Sequence, residues 1–477
     1  MLVSMKTEGP EELHVDVAVI GAGTAGLAAY RAASAVTPRV VIIEGGRHGT
    51  TCARVGCMPS KLLIAAGEAA HHARHAAPFG VHAENVRVDG AEVMGRLRFE
   101  RDRFVGFVVE GVAKIPHDHK LSGRARFVAP RVLEVDGRRV HAQAVVIATG
   151  SSPLVPPMFE PVRDRLVIND DVFMWDTLPE SVAVFGAGVI GLEIGQALSR
   201  LGVRVRTFGR GGTVGPLTDP AVKASALAAF REEMPLHPDA TVRALRPVDG
   251  GVEVTFVDDD GISRAETFAY ALVAAGRKPN LTGIGLEHAG IDLDGRGAPL
   301  FDRTTLQATG VTGASAVFIA GDANDDVPLL HEAADEGTIA GDNAARFPRV
   351  TAGLRRSLLS ITFTEPQIAI AGASWASLVK GGREVVVGEI AFADQGRSRV
   401  MLQNRGLGHV YADRATGRFL GAELAGPRVE HLGHLLAWAH QQELTIDEML
   451  AMPFYHPVVE EGLRTALRDA ASKIHKR

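Results

Sequence analysis

Cysteine is almost missing from this chain: 477 residues hold only Cys52 and Cys57. One possible bridge contributes little at such a length, so a disulfide-stapled secreted framework is excluded. Long apolar runs are missing too. No stretch of about 18 or more uncharged apolar residues occurs, so no membrane-spanning helix is expected. Neither sign of charge dominates: 51 basic residues stand against 56 acidic ones, for a formal net charge of -5. That balance leaves no electrostatic footprint for nucleic acid or an anionic membrane surface. Met1–Leu13 is polar, carries three glutamates and has no apolar core, so it does not read as a signal peptide and a cytoplasmic protein is expected.

Glycine, by contrast, is plentiful, with 53 residues, against about 7% in average composition. No G-x-y period accompanies it, so it must serve tight turns and close backbone approaches. The hydrophobic and charged fractions, 46% and 22%, are those of an ordinary globular protein. The length suggests roughly three domains.

The first strong element is an apolar strand, Val15 to Ile20, running into Gly21-Ala22-Gly23-Thr24-Ala25-Gly26. A helical segment, Leu27 to Ala35, and a second strand, Arg39 to Glu44, complete a βαβ unit around G-x-G-x-x-G. The arrangement recurs at Val182 to Phe185, with Gly186, Gly188 and Gly191, a helix to Leu201 and a strand Val203 to Phe208. Two such copies, each between a strand and a helix, predict two dinucleotide-binding units. In each, the first glycine makes the turn, the second lets backbone approach a pyrophosphate, and the third lets the helix pack close. Between them Ala144 to Ile147 reads as a buried strand ending in Ala148-Thr149-Gly150, and the Pro-rich stretch Pro153 to Pro161 as an inter-domain crossing. Tyr270 to Ala274 and Val317 to Ala320 read as further strands, followed by Gly276-Arg277-Lys278-Pro279-Asn280 and by Gly321-Asp322-Ala323-Asn324. An alanine-rich helix runs from about Leu329 to Ala345. After Arg349 the pattern changes to antiparallel strands, Glu384 to Phe392, Gly408 to Ala412 and Arg418 to Glu423, with helices Val429 to Gln442 and Val458 to Ser472. That change marks a separate C-terminal domain.

A carboxylate about 20 residues past a glycine motif accepts from a ribose 2′-hydroxyl. Glu44 stands in that place in the first unit. In the second the place falls to Gly209, followed by Arg210, which reads either as a contact for a 2′-phosphate or as a solvated surface charge. The most specific segment is Gly49-Thr50-Thr51-Cys52-Ala53-Arg54-Val55-Gly56-Cys57-Met58-Pro59-Ser60-Lys61. Two cysteines scattered at random would fall this close only about 2% of the time. Five apart, they can form a strained, exposed disulfide of the labile kind, and a thiolate at the start of the following helix is favoured. Zinc needs more soft ligands than two, so no metal is expected there; His71, His72 and His75 read as a solvated helix face.

This segment resembles the redox-active disulfide of the class I pyridine nucleotide–disulfide oxidoreductases, and the resemblance extends through both glycine motifs, A-T-G, G-R-x-P-N, G-D-A and a C-terminal H-P. It implies an α/β fold of two Rossmann-like dinucleotide-binding domains plus a C-terminal α+β dimerisation domain. The expected boundaries are 1–152 for the first part of an FAD-binding domain, 153–280 for an NAD(P)-binding domain, 281–349 for the second part of the first, and 350–477 for the interface domain. By the same resemblance FAD contacts Gly21, Gly23, Gly26, Glu44, Thr51, Lys61, Thr149, Gly150 and Asp322. NAD or NADP contacts Gly186, Gly188, Gly191, Glu193, Arg210 and Gly276. Cys57 is the thiolate next to the flavin, Cys52 exchanges with substrate, and Lys61 with Glu193 forms a pair near the two rings. His456, with Glu461 five residues later, is the acid–base pair, and it serves the disulfide of the other subunit of a homodimer. Val189, where glutathione reductases carry a tyrosine, and the lack of the extra cysteine pair of mercuric reductases make dihydrolipoyl dehydrogenase the branch that the chain is most similar to. The expected partner is a lipoyl-bearing protein or small dithiol. The alternatives are an NADPH-dependent reductase of another small disulfide and a non-catalytic flavoprotein scaffold. Ala53, Arg54 and Val458 depart from the family pattern.

Overall fold

Valine and isoleucine runs that are apolar on both faces, such as Val17-Ala18-Val19-Ile20 and Val40-Val41-Ile42-Ile43, belong in parallel strands covered on two sides, and they are buried here. The computed structural model of the protein describes residues 12–476; most of the N-terminal segment read above, and Arg477, lie outside the described residues. The chain forms two compact units: residues 12–56, Arg101–Pro153 and Arg277–Arg355 make the first, and Cys57–Glu100, Leu154–Gly276 and residues 356–476 the second. The chain passes from the first to the second at Gly56–Cys57, at Pro153–Leu154 within the Pro-rich stretch, and at Arg355–Arg356.

In the first unit, the strand Glu12–Ile20 lies at the centre of an eight-stranded sheet. It pairs in parallel with Val40–Glu44 on one side and Arg138–Ile147 on the other. The strand Gly313–Ile319 extends the sheet, parallel to Arg138–Ile147, and Ala125–Ala129 with Val132–Val135 adds an antiparallel meander. Apolar clusters cover both faces. The helix after the first turn begins at Thr24, three residues earlier than the apolar pattern indicates, because it starts inside the glycine motif. Likewise Arg138–Ile147 is longer than its apolar half, Ala144–Ile147, because its outer half alternates polar and buried residues.

Some of the glycine excess is explained on the far side of this sheet. The helix Leu330–Arg346 packs against Thr24–Ser34. A β-carbon at Gly337 would stand 2.2 Å from the Ala25 carbonyl oxygen, and one at Gly341 would stand 2.2 Å from that of Ala29. Glycines one turn apart facing alanines one turn apart let the two backbones touch.

The second unit repeats the parallel theme with Leu236–His237, Arg204–Phe208, Ser181–Phe185, Tyr270–Val273 and Leu166–Val167, and adds the antiparallel strands Thr241–Val248, Gly251–Val257 and Ser263–Phe268. Its C-terminal part is a five-stranded antiparallel sheet in the order Leu359–Thr362, Gln367–Gly372, Phe419–Gly426, Leu407–Asp413, Val385–Ala391. The helices Val429–Gln441 and Glu460–His475 pack on this sheet over one apolar core. The helix Cys57–Arg74, which opens on the second cysteine, packs here against Val189–Arg200, where a β-carbon at Gly67 would lie 3.1 Å from the Ala197 carbonyl oxygen. No helix among the described residues is long and apolar enough to cross a membrane.

Gly341→Val should lower stability by about 2–3 kcal/mol, the effect of overpacking a closed contact. Thermal unfolding of the variant checks this, and an unchanged midpoint would contradict the packing account.

Candidate functional site

At the end of the first strand Gly21 adopts φ +103°, and a β-carbon there would meet the Ala148 carbonyl oxygen at 2.4 Å. A β-carbon at Gly26 would meet the Gly21 carbonyl oxygen at 1.8 Å, whereas one at Gly23 would have nothing within 4 Å. The turn is therefore closed on the protein side and open on the other, above the first amides of an eleven-residue helix. Glu44, at the end of the neighbouring strand, accepts from the Ala22 amide at 2.8 Å and the Gly46 amide at 2.7 Å, so its carboxylate is held beside the turn. The buried Oγ1 of Thr149 has no hydrogen-bond partner among the described residues. An open glycine cradle, a carboxylate beside it and an orphaned hydroxyl fit the pyrophosphate and ribose of a dinucleotide.

Around this turn the first unit joins residues named in the sequence reading to others it passed over, Ser151, Ser152, Glu336 and Arg355. Asp322 Oδ2 accepts from the Ser151 hydroxyl at 2.7 Å, and the same hydroxyl accepts from Arg277 Nε at 2.8 Å. Asn280 donates to the Thr149 carbonyl oxygen at 3.0 Å and accepts from the Ser152 hydroxyl at 2.7 Å. The Gly321-Asp322 turn is held in turn by Glu336, fully buried on the helix Leu330–Arg346. Glu336 accepts from the Gly321 amide and from Asn324 Nδ2, both at 2.7 Å, and pairs with Arg355 at 2.7 Å. Burial pushes its carboxyl up against these contacts. The signal for Arg277 and Asn280 was the G-R-K-P-N string itself; nothing local marks Glu336.

Thr51 is exposed at the start of a five-residue helix, Thr51–Val55, which carries the half-buried Cys52; the Thr50 hydroxyl caps that helix on the Ala53 amide. Cys57 is exposed and is the first residue of the eighteen-residue helix Cys57–Arg74, where the helix dipole favours negative charge. One turn along, Lys61 Nζ reaches Glu193 at 2.7 Å and 3.0 Å. Glu193 is 4% exposed, lies on the helix of the second glycine motif, and also accepts from the Phe363 amide at 2.9 Å. Lys61 Nζ stands 4.6 Å from the centre of the Phe363 ring. A buried carboxylate thus has a cation and an amide as partners, and the cation retains one exposed side.

The second glycine turn repeats the first: Gly186 at φ +123°, a β-carbon at Gly191 only 1.9 Å from the Gly186 carbonyl oxygen, and open space at Gly188. At Gly209 a β-carbon would lie 2.7 Å from the Pro238 carbonyl oxygen, so the following loop excludes any side chain from the place of the missing acid. That loop supplies its own carboxylate, Asp239, which accepts from the Gly211 amide at 2.7 Å. Arg210 is exposed, and its carbonyl oxygen accepts from the Thr213 hydroxyl. Gly276, at φ +111°, accepts from the Leu154 amide.

Near the C-terminus His456 is exposed and its Nδ1 meets Glu461 at 3.0 Å and 3.2 Å. The imidazole beside Glu461 holds its carboxyl below the usual range. With Nδ1 engaged, Nε2 is the atom left to exchange a proton. Among the described residues, no hydrogen bond joins this pair to Lys61 and Glu193. His71 and His75 stack 4.1 Å apart, and burial, then Arg200, push His71 down to about 4.

A family model described as pyridine nucleotide-disulphide oxidoreductase matches residues 15–337, and a model for the dimerisation domain of those proteins matches residues 359–467. The dihydrolipoyl dehydrogenase of Bacillus subtilis is 27% identical over 98% of this chain and 99% of its own length. The mercuric reductase of Streptomyces lividans is 30% identical over 97% of each chain. The solved structure of LpdA from Mycobacterium tuberculosis has a TM-score of 0.80 at 25% identity, covering 95% of this chain and 99% of that one.

Removing the cation while keeping the stem, as in Lys61→Met, strands the Glu193 carboxylate. The expected loss is about 1–2 kcal/mol, below the value for a fully buried pair because Lys61 keeps one side in solvent. Denaturant unfolding measures it; an unchanged midpoint would show that the pair is not what holds these segments.

Proposed function

The chain belongs to the pyridine nucleotide-disulphide oxidoreductase family, and within that family we propose that it is a dihydrolipoyl dehydrogenase. The reaction is oxidation of protein-bound dihydrolipoyl groups through a Cys52/Cys57 disulfide. The family binds FAD and uses NAD(P). FAD would be held by Gly21, Gly23, Gly26, Glu44, Thr51, Thr149, Gly150 and Asp322, and the nicotinamide nucleotide by Gly186, Gly188, Gly191, Gly276 and the Gly209–Gly211 turn. Bound FAD and NAD(P) supply the two-electron carriers that take the pair from the dithiol.

The observation that carries the reading is the His456–Glu461 pair, with one ring nitrogen held and the ring exposed. A thiol must lose its proton before it attacks a disulfide, and an imidazole titrates in the right range. His456 Nε2 accepts the proton of one substrate thiol, and the thiolate attacks Cys52 Sγ. The Cys52–Cys57 bond breaks, a mixed disulfide forms on Cys52, and Cys57 leaves as thiolate. The second substrate thiol then closes the lipoyl ring and releases Cys52. Glu461 stabilises the imidazolium, and Lys61 keeps a fixed cation close to the helix that Cys57 opens.

The dimerisation-domain match and the exposed Leu435, Trp438 and Tyr455 support a homodimer. A cytoplasmic location belongs to the same reading. Val189 favours the dihydrolipoyl branch over the glutathione one, and the lack of an extra cysteine pair favours it over the mercuric one. NAD is the expected acceptor, since Asp239 brings a carboxylate to the turn that Gly209 leaves without one. The second reading, an NADPH-driven reductase of another small disulfide, draws on Arg210, a cation beside the same turn.

A substrate panel separates them. NAD-dependent turnover of dihydrolipoamide is expected, falling by about 10²–10⁴ in kcat for His456→Gln. Turnover only with NADPH and glutathione disulfide or mercuric ion would overturn the assignment.

A further inference from the structure

In the first unit the strands Glu12–Ile20 and Arg138–Ile147 run parallel with His14 directly opposite His141, and strand alternation puts Glu12 on the face of His14. The two imidazoles stack with centroids 4.7 Å apart and planes 17° from parallel. Both Nε2 atoms turn to one carboxylate. His14 Nε2 is 3.8 Å from Glu12 Oε2, and His141 Nε2 is 3.8 Å from Glu12 Oε1. Three ligand atoms, one from each residue, lie within 4.8 Å of one another.

Among the described residues, nothing else answers these atoms. His141 Nε2 is shielded from solvent and has no hydrogen-bond partner. Among the described residues, Glu12 has no ion-pair partner besides the two histidines; Arg139, its partner in register, is exposed and makes no ion pair with it. The contrast is His237, Asp258 and Asp259, also close enough together to hold an ion. There, a guanidinium group already pairs with the other polar atom of each residue: Arg206 at 2.6 Å from His237 Nε2, Arg231 at 2.5 Å from Asp259 Oδ2 and Arg264 at 2.6 Å from Asp258 Oδ2.

Two imidazole nitrogens and a carboxylate form the protein half of an open zinc site, a fourth position being left to water or another ligand. Ligands about 2.0–2.1 Å from a tetrahedral ion stand about 3.3 Å apart, so the atoms, all within 4.8 Å of one another, need to close by about 1.5 Å at most, a shift within reach of the exposed Glu12 and His14 side chains. We propose that Glu12, His14 and His141 bind a divalent transition ion of the zinc class, which pins the start of the central strand to its neighbour. The site lies at the opposite end of that strand from the Gly21 turn, about 23 Å away at the usual rise per residue. It is therefore separate from the Gly21 turn.

The test is zinc chloride titrated into the air-oxidised holoenzyme by calorimetry, with thermal unfolding in parallel. The expected result is about one ion per chain, affinity reduced at least tenfold in His14→Ala and in His141→Ala, and a zinc-dependent rise in Tm lost in both. Binding should persist in His237→Ala and in the double variant Cys52→Ser/Cys57→Ser. Flavin content reports folding of each variant, and because His14 is exposed, His14→Ala decides the matter even if His141→Ala folds poorly. No uptake by the unaltered enzyme, unchanged affinity in His14→Ala, or loss of binding only with the cysteines would each overturn the proposal.

Discussion

The ion pair between Lys61 and Glu193 is the contact on which the second unit's site depends. It ties the helix that opens at Cys57 to the helix that opens at the second glycine turn, and through the Phe363 amide it takes in the connection between the first two strands of the C-terminal sheet. Gly67 permits the close helix approach that brings the two side chains within reach. Three segments distant in sequence are thus held by one carboxylate, because a buried acid must find donors wherever the fold can supply them.

The same device recurs. Glu44 holds the first glycine turn through two backbone amides, and Glu336 holds the Gly321 turn from a helix that packs on the opposite side. Glu423, fully buried in the C-terminal sheet, accepts from the amides of Thr218, Asp219 and Trp375. Charge-assisted bonds to amides are short and directional, so each carboxylate turns a flexible loop into a fixed surface. Glycine does the complementary work: where β-carbons are missing at Gly26, Gly191, Gly337 and Gly341, backbone can approach backbone. The composition that first stands out in the chain, much glycine and little cysteine, follows from this division between scaffold and chemistry.

Local strings carried most of what the sequence reveals. Both βαβ units, the cysteine segment and the His456–Glu461 spacing are read within a few residues, and the α/β fold with its antiparallel C-terminal part agrees with the family. What escaped is long-range. Glu336, Phe363 and the Ser151–Asp322 contact join positions far apart, and no periodicity announces them. Strands Leu359–Thr362 and Gln367–Gly372 were missed because each is short and next to a proline or serine break. Asp239 was overlooked for a related reason: the acid expected at the end of one strand stands in the loop after the next, since Pro238 occupies the space beside Gly209.

The central claim is that Cys52 and Cys57 are one redox pair worked by a dithiol, and the chain's poverty in cysteine makes it simple to test. Thiols would be counted under denaturing conditions before and after anaerobic addition of one equivalent of dihydrolipoamide, with small thiols removed before counting. The account predicts none in the protein as isolated and two, mapped to Cys52 and Cys57, after the addition. Two thiols at the outset, or none gained on reduction, would contradict it.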